Sequence, residues 1–405
     1  MMENEVEFLG EGDLNQNEAV VENRINFLFF SIYLIIALFR GTNLDFPHWN
    51  TIAQVVQLCC LGVVLAVAMV ECINSKIKPN PIAILFIIIG MLNLLATKHT
   101  LILSFAVFFF GFANFEFRDL LKKYLIVLSV TFLLIEILAF SNIIPMGYSA
   151  RTDMVRYNMG FKTSTLASAI LFFLVLGFVY LLQERIPVIV IVVFLAAAVV
   201  LYKLTDTRTG FYLTLLLLLI AFLYKFKPIR CFFNRLLQWK IIRIICVCFP
   251  VLILIFDFAL VEYYSTFTPL AFKLNSLLST RLSLSLNLVR TYGFSLFGKI
   301  IPSTVDGEYY QSDICYLYYG LNYGILALIM TLYLHTRTIW YGLQKNDFWL
   351  VLSLLFVVFD GIFEPYVIDY KYQIFCMILS PYFLSYRTEF KVYACDDRLL
   401  EELQI

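Results

Sequence analysis

Four stretches of this chain set arginine, aspartate, tyrosine and glycine beside long apolar runs, a grouping suited to holding a phosphorylated sugar. They are RYNMGFKTSTLASA from Arg156, LTDTRTGFYLTL from Leu204, STRLSLSLNLVRTYGFSLFGK from Ser279 and VDGEYYQSDICYLYYGLNYGIL from Val305. Arg156, Arg208 and Arg281 fall in the first three. Arginine's planar fork grips phosphate oxygens in pairs and never loses its charge, so these three are the candidate catalytic cations, with Lys162 as a further positive charge. Asp306 or Asp313 can accept a proton from an attacking hydroxyl, and Tyr309 and Tyr323 can stack on sugar rings. An interfacial aromatic belt is the competing explanation for most of the 25 tyrosines.

Other chemistries find no support. The chain has no Gly-rich phosphate loop, no GxSxG, no HExxH and no CxxC pair, and His48, His99 and His335 are scattered. Neither a metal centre nor another cofactor is therefore expected. The nine cysteines sit mostly in apolar runs and do not form a disulfide framework. Lys plus Arg (30) and Asp plus Glu (29) nearly balance, which argues against a nucleic-acid partner. Glu136 and Asp257 lie within apolar runs, where an ionised carboxylate is costly, and pairing with external arginines is the expected remedy.

The elements that must position these groups are membrane helices. With 61% hydrophobic and only 15% charged residues, the composition excludes an ordinary soluble enzyme. Apolar runs at 25–41, 51–73, 80–97, 99–116, 122–144, 163–183, 186–204, 209–225, 240–262, 313–334, 348–364 and 370–387 predict an all-α polytopic membrane protein with about 12 spans. Residues 25–387 form one transmembrane domain between an acidic tail, 1–24, and a second tail, 388–405. Lys and Arg concentrate in alternate connections, which predicts both tails cytoplasmic and the segment 263–312 external. In that segment Leu274, Leu278, Leu282 and Leu286 recur every fourth residue, as on an amphipathic helix at the outer leaflet. RLSLSLNLV also alternates as a strand would, but a strand edge at a membrane would leave its backbone unsatisfied, so the helix is favoured.

Taken in order, Arg-x-x-x-Gly-Phe before a span, Thr-x-Thr-Arg-Thr-Gly at a hairpin, Ser-Thr-Arg-Leu on a loop ending in Phe-Gly, and Val-Asp-x-x-Tyr leading to Tyr-Gly-Ile resemble the Wzy-type capsular polysaccharide and O-antigen polymerases. The resemblance covers about residues 151–325. It implies a GT-C-like, inverting glycosyltransferase of the bacterial cytoplasmic membrane, working in capsule, exopolysaccharide or O-antigen synthesis. Donor and acceptor would be undecaprenyl-pyrophosphate-linked oligosaccharides, and a flippase and a chain-length regulator would be partners. It places Arg156, Arg208 and Arg281 near the pyrophosphate or glycan, and Asp306 and Tyr309 at the mouth of the site. Where such proteins often carry His-Pro-Asn after Gly-Phe, this chain has Lys162-Thr163-Ser164, which leaves only a charge to replace the histidine. An O-antigen-ligase-like transferase and a polysaccharide flippase or transporter are the alternatives. The charges cluster in loops and no matched pair of Gly/Pro-broken spans appears, which weighs against transport.

Overall fold

The structure is a computed structural model that describes residues 10–44, 46–74, 80–151, 154–302, 304–305 and 308–383. Asp306, most of the 1–24 tail's side chains and the whole 388–405 tail lie outside the described residues. The chain folds as helices with two short hairpins. The helices are α1 (Gly10–Arg40), α2 (Trp49–Asn74), α3 (Pro81–Thr97), α4 (Leu101–Gly111), α5 (Phe117–Phe140), α6 (Ser164–Leu182), α7 (Val188–Thr205), α8 (Arg208–Leu223), α9 (Lys227–Leu236) and α10 (Lys240–Tyr264). Then follow α11 (Pro269–Leu277), α12 (Arg281–Tyr292), the single turn α13 (Cys315–Tyr318), α14 (Ile325–Gln344) and α15 (Phe348–Asp360). Strands β1 (Tyr148–Arg151) and β2 (Met154–Tyr157) pair antiparallel, with Ser149 opposite Arg156. Strands β3 (Thr304–Val305) and β4 (Glu308–Tyr309) form a smaller hairpin.

Six helices are long and apolar enough to cross a membrane, or seven if the bent pair α8 and α9 counts as one, not twelve. The reason is length. At 1.5 Å per residue a hydrocarbon core of about 30 Å needs about 20 residues. The runs at 80–97 and 99–116 become helices of 17 and 11 residues, and the run at 348–364 one of 13. The run at 313–334 is broken at Gly324, and the described part of that at 370–387 forms 3-10 turns over Phe375–Phe383.

Helix α5 shows what the span-length helices bury. Leu121, Leu125, Leu128, Phe132 and Ile135 are buried on its inner side, while Ile126, Val130, Leu133 and Ile137 stay exposed. A helix apolar all round suits a hydrocarbon surrounding, because both faces then leave water. Helix α6 is the central element, with nearly every residue from Ala167 to Gly177 buried. The Leu274, Leu278, Leu282 and Leu286 stripe is helical as expected, but Ser279 and Thr280, both at positive φ, split it into α11 and α12. Leu282 and Leu286 are buried against Val261, Tyr264, Ile314 and Leu317, so this stripe is spent on protein packing.

An aromatic core fixes the loop after α15. The rings of Phe30, Phe105 and Phe108 lie 5.7, 5.4 and 5.4 Å from that of Tyr370, whose hydroxyl donates to the Phe105 carbonyl at 2.9 Å. Tyr370 is fully buried there, and its neighbours Asp369 and Lys371 are thereby held at one end of the bundle.

Candidate functional site

A cavity of about 420 Å³ opens at the end of the bundle where α1 finishes and α2 begins. Its wall carries four cations, Arg40, Lys98, Lys162 and Lys371, against a single carboxylate, Asp369. Neutral polar groups come from Asn50, Gln54, Gln57, His99 and Gln311, and ring faces from Tyr33, Tyr318 and Tyr323.

Each cation is placed by a specific local device. Arg40 ends α1, and its Nη1 donates to Oε1 of the buried Gln57 at 2.7 Å, which aims the guanidinium across the cavity. Lys98 closes α3 in the left-handed conformation, with its amide bonded to the Leu94 carbonyl, and its own carbonyl accepts from Gln54 Nε2 at 3.2 Å. Lys162 is held by backbone. Its amide donates to the Gly41 carbonyl at 2.9 Å, the Asn43 amide to the Gly160 carbonyl at 2.8 Å, and Asn43 Nδ2 to the Phe161 carbonyl at 2.7 Å. The Gly-Phe segment is thus a strap that sets Lys162 beside the end of α1. Lys371 pairs with Asp369 at 3.0 Å.

The cations act on one another. Partial loss of water, and then the charges of Arg40 and Lys371, lower the Lys162 ammonium below its ordinary value. Arg40, Lys98 and Lys162 have no ion-pair partner among the described residues, and only Lys371 is neutralised. Such a wall is electrostatically incomplete without an anion. Paired contacts from the Arg40 fork together with point charge from the lysines suit a phosphate group best.

The tyrosine side of the cavity rests on an irregular segment. α13 passes into a π turn, Tyr319–Tyr323, before Gly324 starts α14. Gly298 and Gly324 sit at φ 90° and 89°, and a Cβ on Gly324 would come within 2.3 Å of the Gly298 nitrogen. Only glycine allows two backbones to cross so closely at that φ. Asn93 of α3, fully buried, donates at 2.9 Å to both the Phe297 and the Tyr323 carbonyls and clamps the crossing. Tyr323 then meets His99 edge to face, with ring centroids 5.8 Å apart.

Of the residues singled out by sequence, Lys162 and Tyr323 line this cavity, and Arg156, Arg208 and Arg281 do not. Arg156 Nε donates to the Thr205 carbonyl at 2.8 Å and ties the first hairpin to the end of α7. Arg208 is exposed as the first residue of α8. Arg281 is largely buried, 3.3 Å from Asp313 and 3.1 Å from Glu364. Burial opposes its charge, and Glu364 and Asp313 more than restore it, so its pKa rises. Asp313 therefore faces Arg281. The side chains of Asp306 and Tyr309 lie outside the described residues. The expected pairing of Glu136 and Asp257 with arginine does not occur: neither carboxylate has a hydrogen-bond partner among the described residues. All eight described cysteines are unpaired, and no group of three His, Cys, Asp or Glu side chains among the described residues is arranged to hold a metal ion.

No known protein family, curated protein or solved structure matches this chain. The site stands on its own geometry. Its unforeseen members are Arg40, Lys98, His99, Asp369 and Lys371. Arg40 at the last turn of an apolar helix, and Lys98-His99 as the only polar break between two apolar runs, were the available signals.

Proposed function

We propose that this chain is a membrane glycosyltransferase that polymerises lipid-linked oligosaccharides, as its ordered motifs resemble, and that the cationic cavity takes the pyrophosphate of the donor. One observation carries the proposal: four cations from four separate parts of the chain meet around one space with a single carboxylate among them. A glycan leaving as lipid pyrophosphate develops negative charge on the bridging oxygen, and fixed cations lower that barrier without moving. Arg40, held by Gln57, offers the fork for paired oxygens, and Lys162 and Lys98 add point charge. The faces of Tyr318 and Tyr323 suit sugar rings, and holding donor and acceptor together supplies the remaining advantage. His99 and Asp369 are the titratable groups in the cavity able to receive the acceptor's proton. In this reading the cavity faces the side of the membrane away from the amino terminus.

The test is polymer synthesis by the protein reconstituted with lipid-linked repeats. Arg40→Gln should lose about a hundredfold in rate, the usual effect of removing one charge-stabilising group. In cells, single lipid-linked repeats should accumulate while the protein reaches the membrane in normal amount. Long lipid-linked polymer left untransferred would indicate a ligase, and repeats retained on the cytoplasmic face a transporter. Full-length polymer from Arg40→Gln and from Lys162→Ala would refute the site.

A further inference from the structure

The opposite end of the bundle carries a different feature. Helix α6 starts beside Lys162 and ends about 28 Å away by its 19 residues at 1.5 Å each. There the chain turns sharply: α9 leaves α8 at 112° and lies across the helix ends. Cross-links hold it in place. Arg230 pairs with Glu184 at 2.9 Å, and Lys225 Nζ donates to the Ile186 carbonyl at 2.6 Å. The Phe233 ring lies 5.4 Å from that of Phe348, and Tyr224 stacks on Phe348 at 4.8 Å.

Helix α9 is two-faced. At 100° per residue Ile229, Phe232, Phe233 and Leu236 share one side, and Lys227, Cys231, Asn234 and Arg235 the other. No residue of α9 is buried. Phe232 is 60% and the following Trp239 58% exposed, so apolar rings project where only lipid would accept them. Lys227, Arg235 and Lys240 have no ion-pair partner among the described residues.

We infer that α9 lies in the plane of the membrane surface and binds anionic phospholipid headgroups, their phosphates held by Lys227, Arg235 and Lys240. Phe232 and Trp239 anchor the helix at the depth of the acyl boundary. A sharp bend, an apolar face on which Phe232 stays open beside the Phe233 contact with Phe348, and an unneutralised cationic face are the features of an interfacial helix. The charge selects anionic over zwitterionic lipid, because each cation near such a surface favours it by about fivefold in binding. The inference is independent of what the cavity at the other end takes.

The full-length protein in bilayers tests this. Cys231 is exposed on the polar face of α9 and is the site for a fluorophore once Cys59, Cys248 and Cys395 are replaced by serine. Spin-labelled phosphatidylglycerol should quench it several-fold more than spin-labelled phosphatidylcholine at equal content, and added salt should reduce the difference. The Lys227→Gln/Arg235→Gln/Lys240→Gln variant should bring the two lipids to near parity, whereas Lys273→Gln/Arg290→Gln should leave the preference intact. Equal quenching by both lipids in the parent protein overturns the inference, whether or not the triple variant folds. So does a preference that survives both high salt and the triple substitution.

Discussion

Arg281 is the residue where a structural and a chemical role separate most cleanly. Its guanidinium lies 3.1 Å from Glu364 and 3.3 Å from Asp313, with side-chain exposures of 14%, 7% and 25%. At an effective dielectric of about 20, one contact near 3 Å has a gross attraction on the order of 5 kcal/mol, most of which offsets desolvation. Removing only the cation forfeits the attraction and leaves the desolvation, so Arg281→Ala should cost about 3–5 kcal/mol of stability. Glu364 modifies this figure. Burial already pushes its carboxyl well above the ordinary 4.5, and Arg281 draws it back. Without Arg281 it rises further and takes up a proton in the folded state. A carboxyl raised on folding gives stability that is present below the unfolded value and lost as pH climbs through the folded one. The deficit of Arg281→Ala should therefore be small near pH 4.5 and widen as pH rises. Cys60, Cys72, Cys246, Cys315 and Cys376 are buried, so once Cys59, Cys231, Cys248 and Cys395 are replaced by serine, reaction with a thiol dye on heating reports unfolding. Arg281→Met with Glu364→Gln and Asp313→Asn should recover much of the loss, because no buried charge is then left unpaired. An Arg281→Ala protein that melts with the parent at neutral pH would refute this account.

Three further outcomes follow from the cavity and its supports. Gly324→Ala should prevent a stable fold, at a cost on the order of several kcal/mol from positive φ plus a 2.3 Å clash, whereas Gly293→Ala, also at positive φ but with nothing within 4 Å, should cost only about 1–2 kcal/mol by the same thiol assay. Arg40→Gln should raise the Lys162 pKa by removing a neighbouring positive charge, while burial keeps it below that of a free lysine; the pH profile of Lys162 acylation, read by peptide mass spectrometry, checks it. Inorganic pyrophosphate should raise the melting temperature of the parent protein, by the equivalent of about 2.7 kcal/mol at a hundred times its dissociation constant, and Lys162→Ala should weaken the effect.

Much of the architecture was legible because it repeats along the chain. Ten of the twelve predicted apolar runs correspond to one helix each, and the period-four leucines of 274–286 outweighed the period-two pattern beside them. Crossing number was not legible, because hydropathy marks apolar segments without separating a full span from an 11-residue helix buried within the protein, as in α4. The cavity was the hardest part. Lys162 announced itself through its Gly-Phe neighbour, but Arg40 and Lys98 are single cations at helix ends and Lys371 one in a loop, brought together over 331 residues of chain by the aromatic core around Tyr370. The glycine motifs were visible, though their purpose was not: Phe-Gly and Tyr-Gly mark a backbone crossing closed by Asn93, a contact between positions 93, 297 and 323 that no local pattern encodes.

The arginines and lysines of this chain divide by what opposes them. Arg281 sits between two carboxylates and Arg156 against a carbonyl at a helix end, where the last carbonyls of a helix favour a cation. Both are satisfied within the protein, which is sufficient reason for arginine at those positions. Arg40, Lys98 and Lys162 are not satisfied in that way, and the protein holds them with neutral partners, Gln57, Gln54 and backbone, which fix position without cancelling charge. A neutral partner keeps a cation available, whereas a carboxylate would already occupy it. Asp369 is the exception, and it pairs with Lys371 alone. Charge left uncancelled at a cavity wall is energetically unfavourable, and an anion bound there would relieve it. The neutral supports of Arg40 and Lys98 are therefore as much a part of the proposed anion site as the cations they hold.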